Sequence, residues 1–226
     1  MKAKKQINNF KAAIFDMDGV LIDSMMHWIE ADVSFLRTHN IELTNEMIKY
    51  FSGRSERENM EWIKNEFKLL HTVDELLSVR NVSTDRIYTH QTNLLPGVEN
   101  LLQKIKIAGH KIALASGAPL RQIMIAADRF GWHQYFDEFV SPDNLDHVGK
   151  PDPRIYLHTA ERLGIAPAQC VVFEDAENGV VAAKRAGMYC VAIPDKRWSP
   201  GDFSQADLIV KSLGDERISQ LLKLSR

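Results

Sequence analysis

Asp16 and Asp18 stand two residues apart, directly after the short apolar run Ala12-Ala-Ile-Phe15, and Gly19 follows at once. In an extended strand, residues i and i+2 project to the same side. Both carboxylates can therefore face one site at the strand's carboxyl end, where open α/β sheets bind ligands. Two carboxylates that close repel unless a cation lies between them or one holds a proton. A hard, oxygen-seeking cation, Mg²⁺ above all, is the natural third party. A polar Asp-x-Asp-Gly turn that merely closes a strand is the competing reading of an isolated match.

Three later stretches carry matching chemistry. Ala115-Ser-Gly-Ala-Pro119 puts the Ser116 hydroxyl and the Gly117 amide at a strand-to-helix turn, which suits an anion because helix N-termini present unpaired N–H groups. Gly149-Lys-Pro-Asp-Pro153 fixes Lys150 between a glycine and a proline, where its ammonium can be aimed at a phosphoryl group and nearby carboxylates. Taken alone, that residue reads as an exposed loop lysine. In Val171-Val-Phe-Glu-Asp-Ala-Glu-Asn-Gly179, the acids Glu174 and Asp175 end a fully apolar run. Carboxylates next to a buried strand are costly without a cation, which points to the metal already invoked for Asp16 and Asp18. Glu177 and Asn178 read as solvated loop or helix-cap residues.

The elements that must carry these residues fall into two textures. From Pro96-Gly97 onward, helix and strand alternate. A helix from 98 to 108 stops at Gly109, and a strand runs from His110 to Ser116. A helix entered through Pro119 ends at Phe130-Gly131, and Phe139-Val140 is a short strand. Asp152 caps a helix whose first residue is Pro153. Strands at 170–173 and 190–193 flank a helix from Asn178 to Ala186, and 206–210 is a last edge strand before a C-terminal helix. Such alternation means a parallel three-layer α/β sheet. Residues 25–93 instead read as helices only. Met25, Trp28 or Ile29, Val33 and Leu36 keep a helical period, Ser55-x-x-Glu58 has the form of a capping box, and Thr72-x-x-Glu75 repeats it. The third of these helical stretches runs through Leu77 and, after a break, Ile87.

Composition bounds the rest. A chain of 226 residues suits one core domain with a smaller inserted one. The formal net charge of −2 favours neither nucleic acid nor an acidic membrane surface. No apolar run approaches the length of a membrane span, and the basic start Met1–Lys5 leads into no signal-like stretch. Cys170 and Cys190 sit in apolar strand-like segments, so buried free thiols and a reducing, cytoplasmic setting are expected.

Phe15-Asp-Met-Asp-Gly-Val-Leu-Ile-Asp-Ser24 resembles the nucleophile loop of the haloacid dehalogenase (HAD) superfamily, in its β-phosphoglucomutase and sugar-phosphatase-like branch. The three later motifs fall in that family's order, and the resemblance covers 10–24 and 94–213. It implies a three-layer Rossmann-like parallel sheet core (1–24 and 94–226) with an inserted all-helical cap domain (25–93). It also implies that Asp16 attacks phosphorus, Asp18 acts as general acid and base, and Ser116 and Gly117 hold phosphoryl oxygens beside Lys150. Asp16, Asp18 through its carbonyl, Glu174 and Asp175 would then form the Mg²⁺ shell.

The insert departs from the mutase pattern. Trp28 stands where such members carry a histidine, Glu56 stands where they carry an arginine, and 79–95 contains no lysine. Arg54 or Arg57 is left to meet a substrate anion. The expectation is a Mg²⁺-dependent phosphomonoester hydrolase for a small sugar- or polyol-phosphate-like metabolite, as a monomer or weak homodimer with no nucleic-acid or membrane partner. A phosphosugar mutase is the second reading, and a non-catalytic binding or regulatory protein on the same fold is the third.

Overall fold

Four apolar residues, Ala12–Phe15, form β1, and all four are buried because the strand lies in the middle of the sheet. In the computed structural model, which describes residues 9–199 and 201–224, five more strands join it. They are β2 (Lys111–Ala115), β3 (Glu138–Val140), β4 (Cys170–Glu174), β5 (Tyr189–Ala192) and β6 (Leu208–Ile209). The order is β3-β2-β1-β4-β5-β6 and every pair is parallel, with Phe15 level with Leu114 on one side and Phe173 on the other. The basic start, Met1–Lys5, lies outside the described residues.

Parallel strands covered on both faces read as continuous apolar runs, as 12–15 and 170–173 do. Period-2 geometry then divides each strand between two cores. Ala13 and Phe15 pack with α5 (Val98–Ile107), α6 (Leu120–Arg129) and α9 (Glu216–Leu221). Ala12 and Ile14 pack with α7 (Arg154–Leu163) and α8 (Glu177–Arg185). Cys170 and Cys190 are buried free thiols. No helix among the described residues is long and apolar enough to cross a membrane.

Residues 25–93 contribute α1 (Met25–Thr38), α2 (Asn45–Phe51), α3 (Glu56–Glu66) and α4 (Val73–Arg86). Both capping boxes form, at Ser55/Glu58 and Thr72/Glu75. Phe35, Leu36, Met47, Phe51, Met60, Ile63 and Leu76 give these helices an apolar cluster of their own. The two connections to the sheet domain run side by side: Asp23 N–H donates to the Asn93 carbonyl at 3.0 Å and Leu95 N–H to the Leu21 carbonyl at 2.9 Å.

Several elements differ from the expectation. The third helical stretch does not break after Leu77; α4 continues to Arg86 and passes into a π-helical turn, Ile87–Gln91. Helix α2 carries no long apolar period, and its start is marked only by Thr44, whose hydroxyl accepts the Met47 N–H at 3.2 Å. Helix α7 begins at Arg154 rather than Pro153, although the Asp152 carboxylate still accepts the Arg154 N–H at 2.9 Å.

Candidate active site

The carboxyl ends of β1, β2 and β4 are neighbours in the sheet, so Asp16, Ser116, Glu174 and Asp175 meet there. Lys150 arrives from the loop after β3 and is completely buried. Its Nζ donates to Asp16 Oδ1 at 2.5 Å, Glu174 Oε1 at 2.6 Å and the Ala115 carbonyl at 3.2 Å. Each ammonium hydrogen thus has an acceptor, and the flexible side chain is fixed.

Glu174, expected from sequence in the metal shell, lines the same cavity as Asp16 and Asp175, and protein donors meet both of its oxygens. Oε1 accepts from Lys150 and, at 2.6 Å, from the Tyr156 hydroxyl. Oε2 accepts the N–H groups of Asp175 at 3.0 Å and Ala176 at 3.1 Å. With both oxygens engaged, Glu174 positions Lys150. Helix α8 comes so close that a Cβ on Gly179 would lie 1.8 Å from Glu174 Oε1, so only glycine fits there. Asp175 is steadied by Trp198, whose Nε1 donates to Oδ2 at 3.0 Å.

Burial pushes the Asp16 carboxyl up to about 8; Lys150 opposes this, and Glu174 and Asp18 reinforce it. Burial also lifts Asp175 well above the usual carboxylate range, with Glu174 and Asp16 adding to it. At Lys150 burial works against the charge, yet Asp16 and Glu174 outweigh it and hold the ammonium protonated. One buried lysine therefore faces three buried carboxylates, a surplus of negative charge that suits a small hard cation. Among the described residues, no three acidic, histidine or cysteine side chains are gathered as a metal cage. Of the residues expected to hold such a cation, the Asp16, Glu174 and Asp175 side chains meet at one end of the sheet and line one cavity.

The Asp18 side chain turns toward the helical insert. Its Oδ1 accepts from Ser24 Oγ at 2.5 Å and from Trp28 Nε1 at 3.3 Å, and the Tyr88 hydroxyl lies 3.1 Å from both oxygens. Burial raises its pKa, while these three donors pull the other way. Tyr88 escaped the sequence reading because no local pattern marks a residue 70 positions from its partner. The π-helical turn delivers it, and Arg129 of α6 holds that turn through the Tyr88 carbonyl at 3.0 Å and the Thr92 carbonyl at 2.6 Å.

The loop between α2 and α3 is docked on the same motifs. Lys150 N–H donates to the Gly53 carbonyl at 3.2 Å and Gly149 N–H to Glu58 Oε2 at 2.8 Å. Asn178, expected as a solvated or capping residue, instead donates its amide to the Ser52 carbonyl at 2.9 Å and latches insert to core. Beside it, Glu177 pairs with Lys49 at 2.9 Å. A Cβ on Gly117 would sit 2.5 Å from the Arg54 carbonyl, so that glycine permits the approach.

Core and insert enclose a cavity of about 100 Å³, lined by Asp16, Asp18, Ser116, Gly117, Asp175 and, from the insert, Trp28, Arg54 and Tyr88. Arg57 does not reach it; its guanidinium pairs with the exposed Asp74 at 2.6 Å. Asp32, Glu56, Asn59 and Arg80 also line it. Of these, sequence drew attention only to Glu56.

Residues 10–187 match the model of a family described as haloacid dehalogenase-like hydrolase. The chain is 33% identical to a phosphorylated carbohydrates phosphatase of Thermotoga maritima over 178 residues, covering 79% of this chain and 82% of that protein. It is 34% identical to a β-phosphoglucomutase of Bacillus subtilis over 217 residues, covering 91% of each. Among solved structures, CbbY from Rhodobacter sphaeroides in complex with phosphate superposes with a TM-score of 0.80 at 22% identity, over 91% of this chain and 96% of that one, a likeness of fold.

Proposed function

The chain belongs to the haloacid dehalogenase-like hydrolases and is a phosphatase, and from that premise we propose that it cleaves small sugar- or polyol-like phosphate monoesters through an aspartyl-phosphate on Asp16. The observation that carries this reading is the pairing of Asp16 with the fully buried Lys150, beside a cavity that both Asp16 and Asp18 line.

Lys150, bonded to Asp16 Oδ1, fixes the carboxylate so that its other oxygen can attack phosphorus in line. Ser116 Oγ and the Gly117 amide are suited to receive phosphoryl oxygens, and Lys150 offsets the charge that develops on them. Asp16, Asp175 and the Asp18 carbonyl would hold Mg²⁺. When bound, that ion supplies positive charge that keeps Asp16 ionised and balances the transferring group. Asp18, whose pKa burial raises, holds a proton for the leaving alkoxide. Once ionised, and steadied by Ser24, Tyr88 and Trp28, it takes a proton from the water that hydrolyses the aspartyl-phosphate. The insert acts as a cap over this chemistry, hinged at the paired connections 21–23 and 93–95.

The relative of Bacillus subtilis named a β-phosphoglucomutase keeps a second reading in view. Such an enzyme must return the phosphoryl group to a second hydroxyl and keep water out. Phosphate release is measured over a panel of phosphorylated metabolites, with and without exhaustive EDTA. Hydrolysis that EDTA abolishes and Mg²⁺ restores is expected, and turnover indifferent to EDTA removes the metal from the mechanism. β-Glucose 1-phosphate with a trace of the 1,6-bisphosphate is expected to yield inorganic phosphate; stoichiometric glucose 6-phosphate without phosphate release would instead establish the mutase.

A further inference from the structure

The loop that follows β5 converges on one carboxylate. Strand β5 is the parallel neighbour of β4, and Ile193 N–H still donates to the Glu174 carbonyl at 2.7 Å, so the chain leaving β5 passes Asp175. There Trp198 Nε1 donates to Asp175 Oδ2 at 3.0 Å, and Ser199 Oγ donates to the Asp175 main-chain carbonyl at 2.5 Å. Asp195 holds the loop in turn. Its main-chain carbonyl accepts the N–H groups of Trp198 at 3.2 Å and Ser199 at 2.8 Å, and its carboxylate accepts the Arg197 N–H at 2.9 Å. The Arg197 guanidinium lies 4.4 Å from the centroid of the Trp198 ring, and the indole is buried.

A buried indole N–H needs an acceptor, and any carbonyl would serve. Donors from two successive residues that both end on Asp175 do more, because they fix its side chain and its main chain together. The loop after β1 closes the other side: a Cβ on Gly19 would lie 2.1 Å from Asp175 Oδ2. Oδ2 is thus confined between the indole and Gly19, while Oδ1 meets no protein donor among the described residues. The carboxylates at this end of the sheet are also held by different kinds of group. Asp16 and Glu174 both touch the charged Lys150 ammonium. The side chain of Asp175 is held by a neutral N–H, which orients it and leaves its negative charge for a cation.

Resting on the reading of Asp175 as a ligand of Mg²⁺, we propose that Trp198, supported by Ser199, is a positioning residue that sets the Asp175 carboxylate to offer Oδ1 to that cation. Neither residue touches the reacting atoms. Outer partners of this kind fix the orientation of a ligating side chain and so raise the affinity of the site for its metal.

The test reads metal binding before activity. Mn²⁺ alone, followed through the electron paramagnetic resonance signal of the free ion, is titrated without substrate into wild type, Asp175→Asn and Trp198→Phe. Wild type is expected to bind Mn²⁺ and Asp175→Asn to lose that binding. Trp198→Phe, which keeps an aromatic ring and removes the N–H, is expected to bind it about tenfold or more weakly. In phosphate release, the Mg²⁺ concentration giving half the maximal rate should rise by the same factor, and excess Mg²⁺ should restore turnover. A merely structural role would lower turnover at every Mg²⁺ concentration. Where Trp198→Phe does not fold, Ser199→Ala removes the other tie on Asp175 and is expected to weaken Mn²⁺ severalfold. Unchanged Mn²⁺ affinity in the folded variant, or a loss of turnover that excess Mg²⁺ does not restore, overturns the proposal and leaves the metal reading standing. A wild-type protein that binds no Mn²⁺, or binding that survives Asp175→Asn, removes the metal reading and this proposal with it.

Discussion

Glu56 offers a perturbation whose size can be worked out before any activity is measured. Burial raises its carboxyl from the ordinary 4.5 to about 7, opposed by Arg80 and reinforced by Asp32 and Asp18. An acid whose pKa is higher folded than unfolded holds its proton more tightly when folded. Its contribution to stability is fully present below the unfolded value and is lost as pH rises through the folded one. With about 1.36 kcal/mol per pH unit of separation, the loss reaches about 3 kcal/mol once both states are ionised. Part of this is already lost near pH 5, so between about pH 5 and about pH 8 the difference is about 2.5 kcal/mol. Glu56→Gln removes the titration and keeps the shape. Whatever the amide itself costs does not change with pH, and the other buried carboxylates titrate alike in both proteins. Both contributions therefore cancel when the two proteins are compared at two pH values. Urea unfolding near those two pH values is expected to show the variant gaining about 2.5 kcal/mol relative to wild type on going to the higher one. A constant difference across that range would show that Glu56 ionises as freely folded as unfolded, and the cavity wall described above would be wrong.

Three further outcomes follow from the site. Asp16→Asn is expected to fold and to lose turnover, because an amide cannot attack phosphorus; wild-type rates from a well-folded variant would remove Asp16 as nucleophile. Tyr88→Phe takes one donor from the Asp18 carboxylate, and hydrogen bonds to charged groups contribute about 1.5–3 kcal/mol, so kcat should fall about tenfold or more. KM should change much less, and an effect on KM alone would mean that Tyr88 meets substrate rather than Asp18. Asn178→Ala removes a latch between core and insert, so KM for a small phosphate should rise severalfold while urea stability changes by about 1 kcal/mol. Unchanged KM would show that this contact does not govern closure.

What could be read from sequence is what is local. Asp16, Ser116, Glu174 and Asp175 each end or follow an apolar run that can only be a buried strand, and parallel neighbours bring those ends together. Lys150 was legible because glycine and proline flank it. The role of Glu174 was not, since its orientation is set by Tyr156 from α7 and by the backbone N–H groups that open α8. Arg54 and Arg57 look equivalent in sequence. Arg54 lies before α3 and faces the cavity, whereas Arg57 is in the first turn and points at Asp74. Asp32, Asn59, Arg80 and Tyr88 come from three helices and a π-helical turn, and no spacing along the chain announces that they share a wall.

The same wall bears on hydrolysis. The Arg80 guanidinium, paired with Asp32, stands 5.0 Å from the centroid of the Trp28 ring, and Trp28 Nε1 donates to both Asp18 and the Tyr88 hydroxyl. A histidine at that position could accept a proton and pass it on, whereas an indole only donates. Trp28 can therefore orient the Asp18 carboxylate but cannot relay its proton to a second substrate hydroxyl. Tyr88 and Ser24 likewise act on Asp18 as donors. With every insert-side neighbour of Asp18 presenting hydrogen, the carboxylate is left to exchange its proton with whatever occupies the cavity at phosphorus. On the proposed mechanism that occupant, once the leaving alcohol has departed, would be water, which favours hydrolysis over transfer to a second hydroxyl.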